Sequence, residues 1–293
     1  MNPTGFLSLG LSDGPVHSAR KVCIEFNEIE FKQAGSEDRT LLKFEDGPEK
    51  VNLLDFQGPN AMPLVVSEEM EAGHYEWLRL GINAVRGTSG GAGDSGDPHI
   101  CDGQASYIVM DDGTPYNLYV PSGANTGLKL VGGYTVPAND LVSLTVEFDL
   151  GKSITAPPGL SPDVILRPTL RLVNNNDVGT LIGTVDPLLA EAEACEPSVY
   201  VFAEGVEPNA IGSEEEGMDD PNDPIATAMV HPQEEADGTT TYHYAVGFLL
   251  AGTYNTAFTC DGAAFEPAAG IEAIIVEGET ETVNFEAPEE PAQ

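Results

Sequence analysis

Apolar and polar residues alternate with a period of two along most of the chain. The alternation is clearest at Val22–Phe26, at Leu144–Leu150 and at Tyr242–Phe248. Residues that alternate in this way point to opposite faces of a β-strand, one facing the core and one facing water. The pattern predicts an all-β protein built from many short strands.

Turn residues separate these strands and leave little room for helices. The chain contains 32 glycines and 22 prolines, with turn signals such as Asp112-Gly113 and Asp261-Gly262 between the apolar runs. The pattern predicts one helix, from Asp186-Pro187 to Ala194, because an aspartate N-cap followed by proline favours a helix start. Short strands joined by such turns are typical of antiparallel β-sandwiches.

Charge is distributed very unevenly along the sequence. The 12 basic and 48 acidic residues give a formal charge of −36, yet every basic residue lies between Arg20 and Arg171. The residues after position 176 carry −25 and contain neither lysine nor arginine. This shift predicts two domains, residues 1–176 and 177–293. The acidity also excludes nucleic acid and anionic lipid as partners, since both are bound by clustered basic residues.

Two related turns occur, one in each predicted domain. Ala72-Gly73-His74-Tyr75 and Ala251-Gly252-Thr253-Tyr254 each combine a glycine turn with a tyrosine that begins the next strand. The second domain adds a first strand at Val178–Val185 and a last hairpin at Ile274–Phe285. In these features it resembles the carboxypeptidase-regulatory-like and transthyretin-like β-sandwiches. The expected fold is therefore two antiparallel β-sandwich domains in tandem, transthyretin-like or Ig-like.

Several segments of the first domain resemble a second family. They are Leu7–Val16, Tyr75–Leu80, Tyr107–Gly113, Val120–Gly123, Thr126–Leu130 and Leu166–Val173. Together they span about residues 5–175 and resemble the domain-of-unknown-function 4382 family of secreted proteobacterial lipoproteins. The resemblance implies export and anchoring at the bacterial outer-membrane surface through a lipidated cysteine. It implies no activity.

The four cysteines predict disulfide bonds. Cys23 and Cys101 lie in the first domain and Cys195 and Cys260 in the second, and none belongs to a CxxC motif or a Cys/His array of the kind that binds zinc. An even number of cysteines paired within domains fits export to an oxidising compartment. The alternative is four reduced, buried thiols.

Membrane insertion by the chain itself is not expected. The longest apolar run, Ala245–Ala251, is far shorter than the roughly 18 residues that a spanning helix needs. The first residues pass directly into a strand-like Phe6–Leu9 segment and do not resemble a signal peptide. If the protein is exported, we expect its targeting segment to be missing from this sequence.

One short motif resembles a catalytic loop. Gly93-Asp94-Ser95-Gly96-Asp97-Pro98 is similar to the loop that presents the nucleophile of serine proteases. Asp97 replaces the glycine expected there, and neither His17 nor His74 lies in the required sequence context. We interpret the segment as a flexible surface loop closed by Cys101.

Acidic clusters are the candidate metal sites. The densest one contains Glu214, Glu215, Asp219, Asp220 and Asp223, and Ca²⁺ is the cofactor that such loop carboxylates would bind. The spacing is not that of an EF-hand, so a solvated acidic loop is the favoured interpretation and a cation site is the alternative. We predict that added salt or Ca²⁺ stabilises the second domain, because cations would relieve its self-repulsion.

Trp77 is the only tryptophan in the chain. An exposed tryptophan beside carboxylates could stack on a sugar, but Trp77 lies in the middle of a predicted strand with one buried face. The sequence therefore predicts that Trp77 packs in the core.

These features favour a non-catalytic, exported module of the cell surface that functions in adhesion, in extracellular assembly or in binding a glycan or protein partner. Two alternatives stay open. One is a subunit of an extracellular filament that self-assembles through its sheet edges. The other is a secreted hydrolase that acts on a polysaccharide. Paired catalytic carboxylates are defined by their separation in the fold, so the sequence alone neither identifies nor eliminates such a pair among the 48 acidic residues.

Overall fold

The computed structural model describes residues 2–14, 19–84, 86–87, 91–121, 127–155, 163–167, 169–210 and 222–287. Strands account for 57% of the chain and helices for 4%, which confirms the all-β fold class. The chain divides into two compact units. The first comprises Met1–Phe56 and Ala61–Asn174, and the second comprises Gln57–Asn60 and Asn175–Gln293.

The described part of the first unit contains fourteen strands, one short α-helix and a 3₁₀ turn at Leu53–Asp55. The elements are β1 (Thr4–Gly14), β2 (Ala19–Gln33), β3 (Thr40–Lys43), β4 (Glu49–Asn52), β5 (Met62–Glu71), β6 (Gly73–Ile82), β7 (Tyr107–Met110), β8 (Pro115–Tyr119), β9 (Leu128–Leu130), β10 (Tyr134–Val136), β11 (Leu141–Asp149), α1 (Leu150–Ser153), β12 (Ile154–Thr155), β13 (Asp163–Leu166) and β14 (Leu170–Asn174).

Two sheets enclose the core of the first unit. The smaller has the strand order β14-β11-β1-β5, and the larger has the order β10-β6-β2-β7-β8-β13-β12, with β3 and β4 also paired to β2 and β9 to β6. Most neighbouring strands are antiparallel, as predicted, but β1 runs parallel to β11 and β8 runs parallel to β13. Both sheets therefore contain parallel as well as antiparallel strand pairs. In the smaller sheet the parallel pair joins β1 to β11, which lies more than 120 residues later in the sequence.

The predicted alternation decides which side chains enter this core. Leu7, Leu9 and Leu11 of β1 point inward and are almost completely buried, as are Leu144 and Val146 of β11. Burying each such side chain contributes roughly 1.5–3 kcal/mol to folding. In β2 the polar side of the alternation is buried as well, since Cys23 and Glu25 are covered by neighbouring segments.

The second unit is a sandwich of two four-stranded sheets with the orders β18-β19-β15-β22 and β17-β16-β20-β21. Its described elements are β15 (Val178–Val185), α2 (Pro187–Ala190), β16 (Ser198–Ala203), β17 (Ala226–Met229), β18 (His231–Glu234), β19 (Thr240–Leu250), β20 (Gly252–Thr259), β21 (Phe265–Ile275) and β22 (Thr280–Thr282). Side chains from both sheets form the main core, and Tyr200, Phe202, Ala257 and Phe265 form a smaller separate cluster. The β15–β22 pair is parallel. The prediction of a last hairpin at Ile274–Phe285 was therefore wrong, because β21 pairs with β20 in one sheet and β22 pairs with β15 in the other.

The helix predicted in the second unit is present but shorter than expected. Asp186 caps it as predicted, since its side chain accepts a hydrogen bond from the backbone N–H of Leu188 at 2.8 Å. The helix ends at Ala190 and does not reach Ala194. Ala194 has a φ of +59°, a left-handed conformation that no α-helix contains.

A tyrosine closes a corner between strands of different sheets in each unit. The Tyr75 hydroxyl donates to the carbonyl oxygen of Glu71 at 3.0 Å, and the Tyr254 hydroxyl donates to that of Leu250 at 2.8 Å. Each tyrosine thus reaches back four residues across the glycine turn, as in the tyrosine corner of immunoglobulin-type sandwiches. The repeated turn in the sequence corresponds to this repeated structure.

Both predicted disulfides form, one in each unit. Cys23 is bonded to Cys101 with a Cα–Cα distance of 5.7 Å, and Cys195 is bonded to Cys260 with a Cα–Cα distance of 4.5 Å. The alternative of reduced thiols is wrong for all four cysteines. Among the described residues, no helix is both long and apolar enough to cross a membrane.

Candidate binding site around Trp77

Trp77 lies on the outer face of the large sheet of the first unit. It is half-buried, whereas Tyr75, Leu78 and Leu80 of the same strand point into the core. The strand pairing shifts register between Lys32 and its neighbour Gln33, opposite the start of this stretch. The predicted core position of Trp77 was therefore wrong, because a bulge changes which side of β6 faces inward.

Two cations lie over the indole ring of Trp77. The guanidinium carbon of Arg39 is 5.4 Å from the ring centroid and the ammonium nitrogen of Lys129 is 4.6 Å from it. At these distances the ring quadrupole attracts both charges. Trp77 therefore holds two basic side chains in place at the surface.

Further basic residues share this face through strand register. Lys32 of β2 lies opposite Trp77, and Arg79 of β6 lies opposite Lys129 of β9. Lys43 of β3 lies opposite Glu28 of β2. We call the surface formed by Trp77, Leu41 and five basic residues the basic face. The five basic residues are Lys32, Arg39, Lys43, Arg79 and Lys129.

One buried glutamate neutralises part of this charge. Glu30 accepts a hydrogen bond from Nη1 of Arg39 at 2.9 Å and also pairs with Arg79. Lys43 and Lys129 are exposed, and neither has an ion pair among the described residues. Glu28, which lies opposite Lys43, adds a second negative charge, but five basic residues against two glutamates leave the basic face with a local positive charge in a chain whose net charge is −36.

The arrangement suits the binding of carboxylate groups. Arginine and lysine donate charge-assisted hydrogen bonds to such groups, and Glu30 fixes the two arginines. Leu41, which is 49% exposed and lies opposite Glu30 in the strand register, adds an apolar side chain to the same face. The sequence did not reveal this site, because its residues come from four strands and the loop before β3 and converge only through the register between the strands.

The motif that resembles a protease loop has a structural role. Asp94 accepts hydrogen bonds from Nζ of Lys21 at 2.6 Å and from the hydroxyl of Tyr107 at 2.7 Å. Lys21 is only 1% exposed and also donates to the carbonyl oxygen of Ile100 at 2.9 Å. Burial, followed by the hydrogen bond to Asp94, raises the pKa of Tyr107 above its ordinary range.

The same loop carries Ser95, the residue that would be the nucleophile. The backbone N–H of Ser95 donates to Asp102 at 3.0 Å, and Nδ1 of His99 lies 2.9 Å from Oδ1 of Asp55, within hydrogen-bond distance. The loop is closed by Cys101, as predicted, but it is clamped to Lys21 rather than free. Its acidic residues thus position the loop.

Two buried carboxyl groups lie at one end of the small sheet. Burial, together with nearby Asp149 and Glu147, raises the pKa of Asp13 well above its ordinary value. Burial also raises the pKa of Glu147 to about 7, although Arg171 opposes the shift. In the parallel register Ser12 pairs with Glu147, and Asp13 pairs with Phe148. Because alternate residues point to opposite faces, Asp13 and Glu147 do not face a common site.

The predicted calcium cluster lies almost entirely outside the described residues. This applies to Glu214, Glu215, Asp219 and Asp220, whereas Asp223 is described and half-buried. In the described part of the chain, no group of three or more histidine, cysteine, aspartate or glutamate side chains could hold a metal ion.

Solved structures with some similarity to the chain include cell-surface proteins of three bacteria. The shaft pilin of Lactobacillus rhamnosus GG is 10% identical, with 98% of this chain and 99% of that chain covered and a TM-score of 0.20. The major pilin of Streptococcus pyogenes is 13% identical, with 97% and 98% covered and a TM-score of 0.17. A putative adhesin of Bacteroides ovatus is 8% identical, with 99% and 95% covered and a TM-score of 0.18. Scores this low support no conclusion about fold or function.

Sequence comparison identifies the first unit more clearly. No curated protein matches the chain. A family described as Domain of unknown function (DUF4382) matches residues 4–168. Because the match covers more than half of the 293 residues, the chain belongs to the DUF4382 family.

Proposed function

We propose that the chain is a non-catalytic, exported module of the bacterial cell surface that binds a carboxylate-bearing partner through the basic face. The observation that carries the proposal is the pair of cations, Arg39 and Lys129, held over a solvent-facing Trp77. Such a partner is an acidic glycan or an acidic protein. Adhesion or extracellular assembly would follow from its binding.

The disulfides support export. Each unit contains one, and such bonds persist in oxidising compartments outside the cytoplasm. We further propose location at the outer-membrane surface, through a lipid anchor on the precursor. For the second unit we propose a carboxypeptidase-regulatory-like sandwich, supported by its tyrosine corner and by the pairing of its first strand β15 with β22.

The orientation of the buried carboxyl groups favours a binding module over a secreted hydrolase. Glycoside hydrolysis uses two carboxyl groups on either side of one bond, about 5 to 10 Å apart and facing the same site. Asp13 and Glu147 point to opposite faces of their sheet. Asp94, the carboxylate of the protease-like motif, is bound by Lys21 and Tyr107.

Calorimetric titration of the full chain with polygalacturonate, polyglutamate and neutral dextran tests the proposed function. We expect saturable binding of at least one acidic polymer and none of dextran. The variant Lys43→Glu/Lys129→Glu should lose at least tenfold in affinity, because both residues are exposed and contribute charge only to the basic face. Arg20→Glu/Arg167→Glu changes the net charge equally elsewhere and should bind normally. Absence of binding to both acidic polymers would contradict the proposal.

A further inference from the structure

The second unit carries a surface of opposite character to the basic face. Strand β21 lies at the edge of one sheet and β22 at the edge of the other. Glu272, Ile274 and Val276 point outward, while Ala273 and Ile275 are buried between them. We call the segment Glu272–Glu281 the acidic hairpin; in it the chain turns from β21 in one sheet to β22 in the other, and these two strands are not paired with each other.

The acidic hairpin combines exposed apolar side chains with uncompensated negative charge. Ile274 is 55% exposed and Val276, directly after the end of β21, is 46% exposed, so two aliphatic side chains lie two residues apart at the surface. Glu277 and Glu279 are also exposed and follow directly in the turn. The sequence supplies no basic residue anywhere in the second unit that could neutralise them.

The two surfaces are complementary in both charge and polarity. The basic face has Trp77 and the exposed Leu41 among lysines and arginines, and the acidic hairpin has Ile274 and Val276 among glutamates. We propose that the acidic hairpin of one copy docks on the basic face of a second copy. This inference rests on the proposed function and names the carboxylate-bearing partner.

The apolar residues favour a second copy over an acidic polysaccharide. A polysaccharide would satisfy the cations, but it would leave Ile274 and Val276 of the hairpin in water. Docking between copies would remove these two side chains, together with Leu41 and Trp77, from water, which is favourable for apolar surface. Complementary charges at the rim then fix the orientation.

The contact is heterologous, because it joins different surfaces of the two copies. Each copy in a pair keeps one unused basic face or one unused acidic hairpin, so further copies can add. The expected products are open chains or closed rings rather than dimers alone. This geometry would give a cell-surface protein a means of assembling through non-covalent contacts.

The dependence of assembly on salt should be non-monotonic. At low ionic strength the net charge of −36 on each copy repels other copies over long distances. At about 0.15 M the Debye length is about 8 Å, so that repulsion is screened while charges in contact still interact. At high ionic strength the contact pairs weaken too. We therefore expect maximal association at intermediate salt.

Sedimentation velocity of the full chain across a salt and concentration series tests the inference. We expect concentration-dependent species larger than the monomer, most abundant at intermediate salt. Lys43→Glu/Lys129→Glu and Glu277→Lys/Glu279→Lys should each remain monomeric under those conditions, because like charges would face each other. Arg20→Glu/Arg167→Glu should assemble as the unchanged chain does.

Mixing the two surface variants provides the decisive step. Lys43→Glu/Lys129→Glu keeps a native hairpin and Glu277→Lys/Glu279→Lys keeps a native basic face, so the mixture should associate through one native contact. The two reversed surfaces also carry opposite charges, so species larger than a heterodimer can form in the mixture although each variant alone is monomeric. A monomer at every salt and protein concentration would overturn the inference. If that monomer still bound polygalacturonate, the proposed function would stand with a glycan as its partner. If the monomer bound neither polygalacturonate nor polyglutamate, the inference and the proposed function would both be contradicted.

Discussion

Two tyrosines show how single residues join the sheets of each unit. Tyr75 and Tyr254 donate their hydroxyl protons to carbonyl oxygens four residues earlier, across turns that begin Ala-Gly. The sequence allowed this prediction because the turn and its tyrosine lie within four residues. Trp77, only two residues after Tyr75, was assigned to the wrong face because the register shift beside it depends on the neighbouring strand.

Removing either tyrosine hydroxyl should weaken its own unit. Tyr75→Phe and Tyr254→Phe each leave a carbonyl oxygen without its donor, so we expect a loss of about 1 kcal/mol in the free energy of unfolding. Urea denaturation followed by circular dichroism measures the change. Tyr116→Phe, at a half-buried position of β8, is the matched control. Equal stability of all three variants and the unchanged chain would refute the role of the corners.

Glu147 should make the first unit more stable in mild acid. Its pKa is raised to about 7 in the folded protein, so the folded state binds a proton that the unfolded state releases between about pH 4 and pH 7. The stability due to this proton is present below the unfolded pKa and is lost as the pH rises through the folded pKa. The slope is at most about 1.4 kcal/mol per pH unit.

Glu147→Gln should therefore flatten the dependence of melting temperature on pH between about pH 5 and pH 8. Glu69→Gln removes the same charge from an exposed position of β5 and should leave the slope unchanged. Differential scanning calorimetry measures both. An identical slope for Glu147→Gln and the unchanged chain would show that Glu147 does not cause it.

At the scale of elements, the period-two alternation predicted strands well and loops poorly. The strands β11 and β19 bury the residues that the pattern assigned to the core, such as Val146 and Tyr244. The loop at Gly93–Pro98 seemed flexible because its residues are small and polar. Its clamp, Lys21, lies 73 residues away in the sequence, so only the folded structure brings the two together.

Asp94→Asn should destabilise the first unit by about 3–5 kcal/mol. The substitution keeps the shape of the side chain but leaves the buried ammonium of Lys21 without a counter-charge. Asp46→Asn, at an exposed position, is the control and should change the free energy of unfolding little. The measurement is urea denaturation with the disulfides intact. A loss below about 1 kcal/mol would mean that the ion pair does not hold the loop.

At the scale of the whole molecule, the net charge of −36 conceals two opposite surfaces. All 12 lysines and arginines belong to the first unit, and five of them share the outer face of the large sheet with Trp77. The sequence located the charge by domain, but it could not show that these five share one face. Cross-strand neighbours far apart in sequence determine that arrangement.

The negative charge should make stability depend on cations. We expect the melting temperature of the full chain to rise with added NaCl and with millimolar Ca²⁺, because both screen repulsion among the acidic side chains. A gain of about 1 kcal/mol would correspond to a rise of roughly 2–4 °C. Calorimetry of the full chain shows whether the unfolding transition whose melting temperature rises is that of the second unit. Unchanged melting in both titrations would contradict this prediction.

The intrinsic fluorescence of Trp77 tests the central claim most directly, since it is the only tryptophan and lies on the proposed binding face. Titration of the dilute full chain with polygalacturonate or polyglutamate, excited where tyrosine does not absorb, follows that face alone. We predict a saturable change in emission that neutral dextran does not cause and that Lys43→Glu/Lys129→Glu abolishes. Emission unaffected by both acidic polymers would contradict the account.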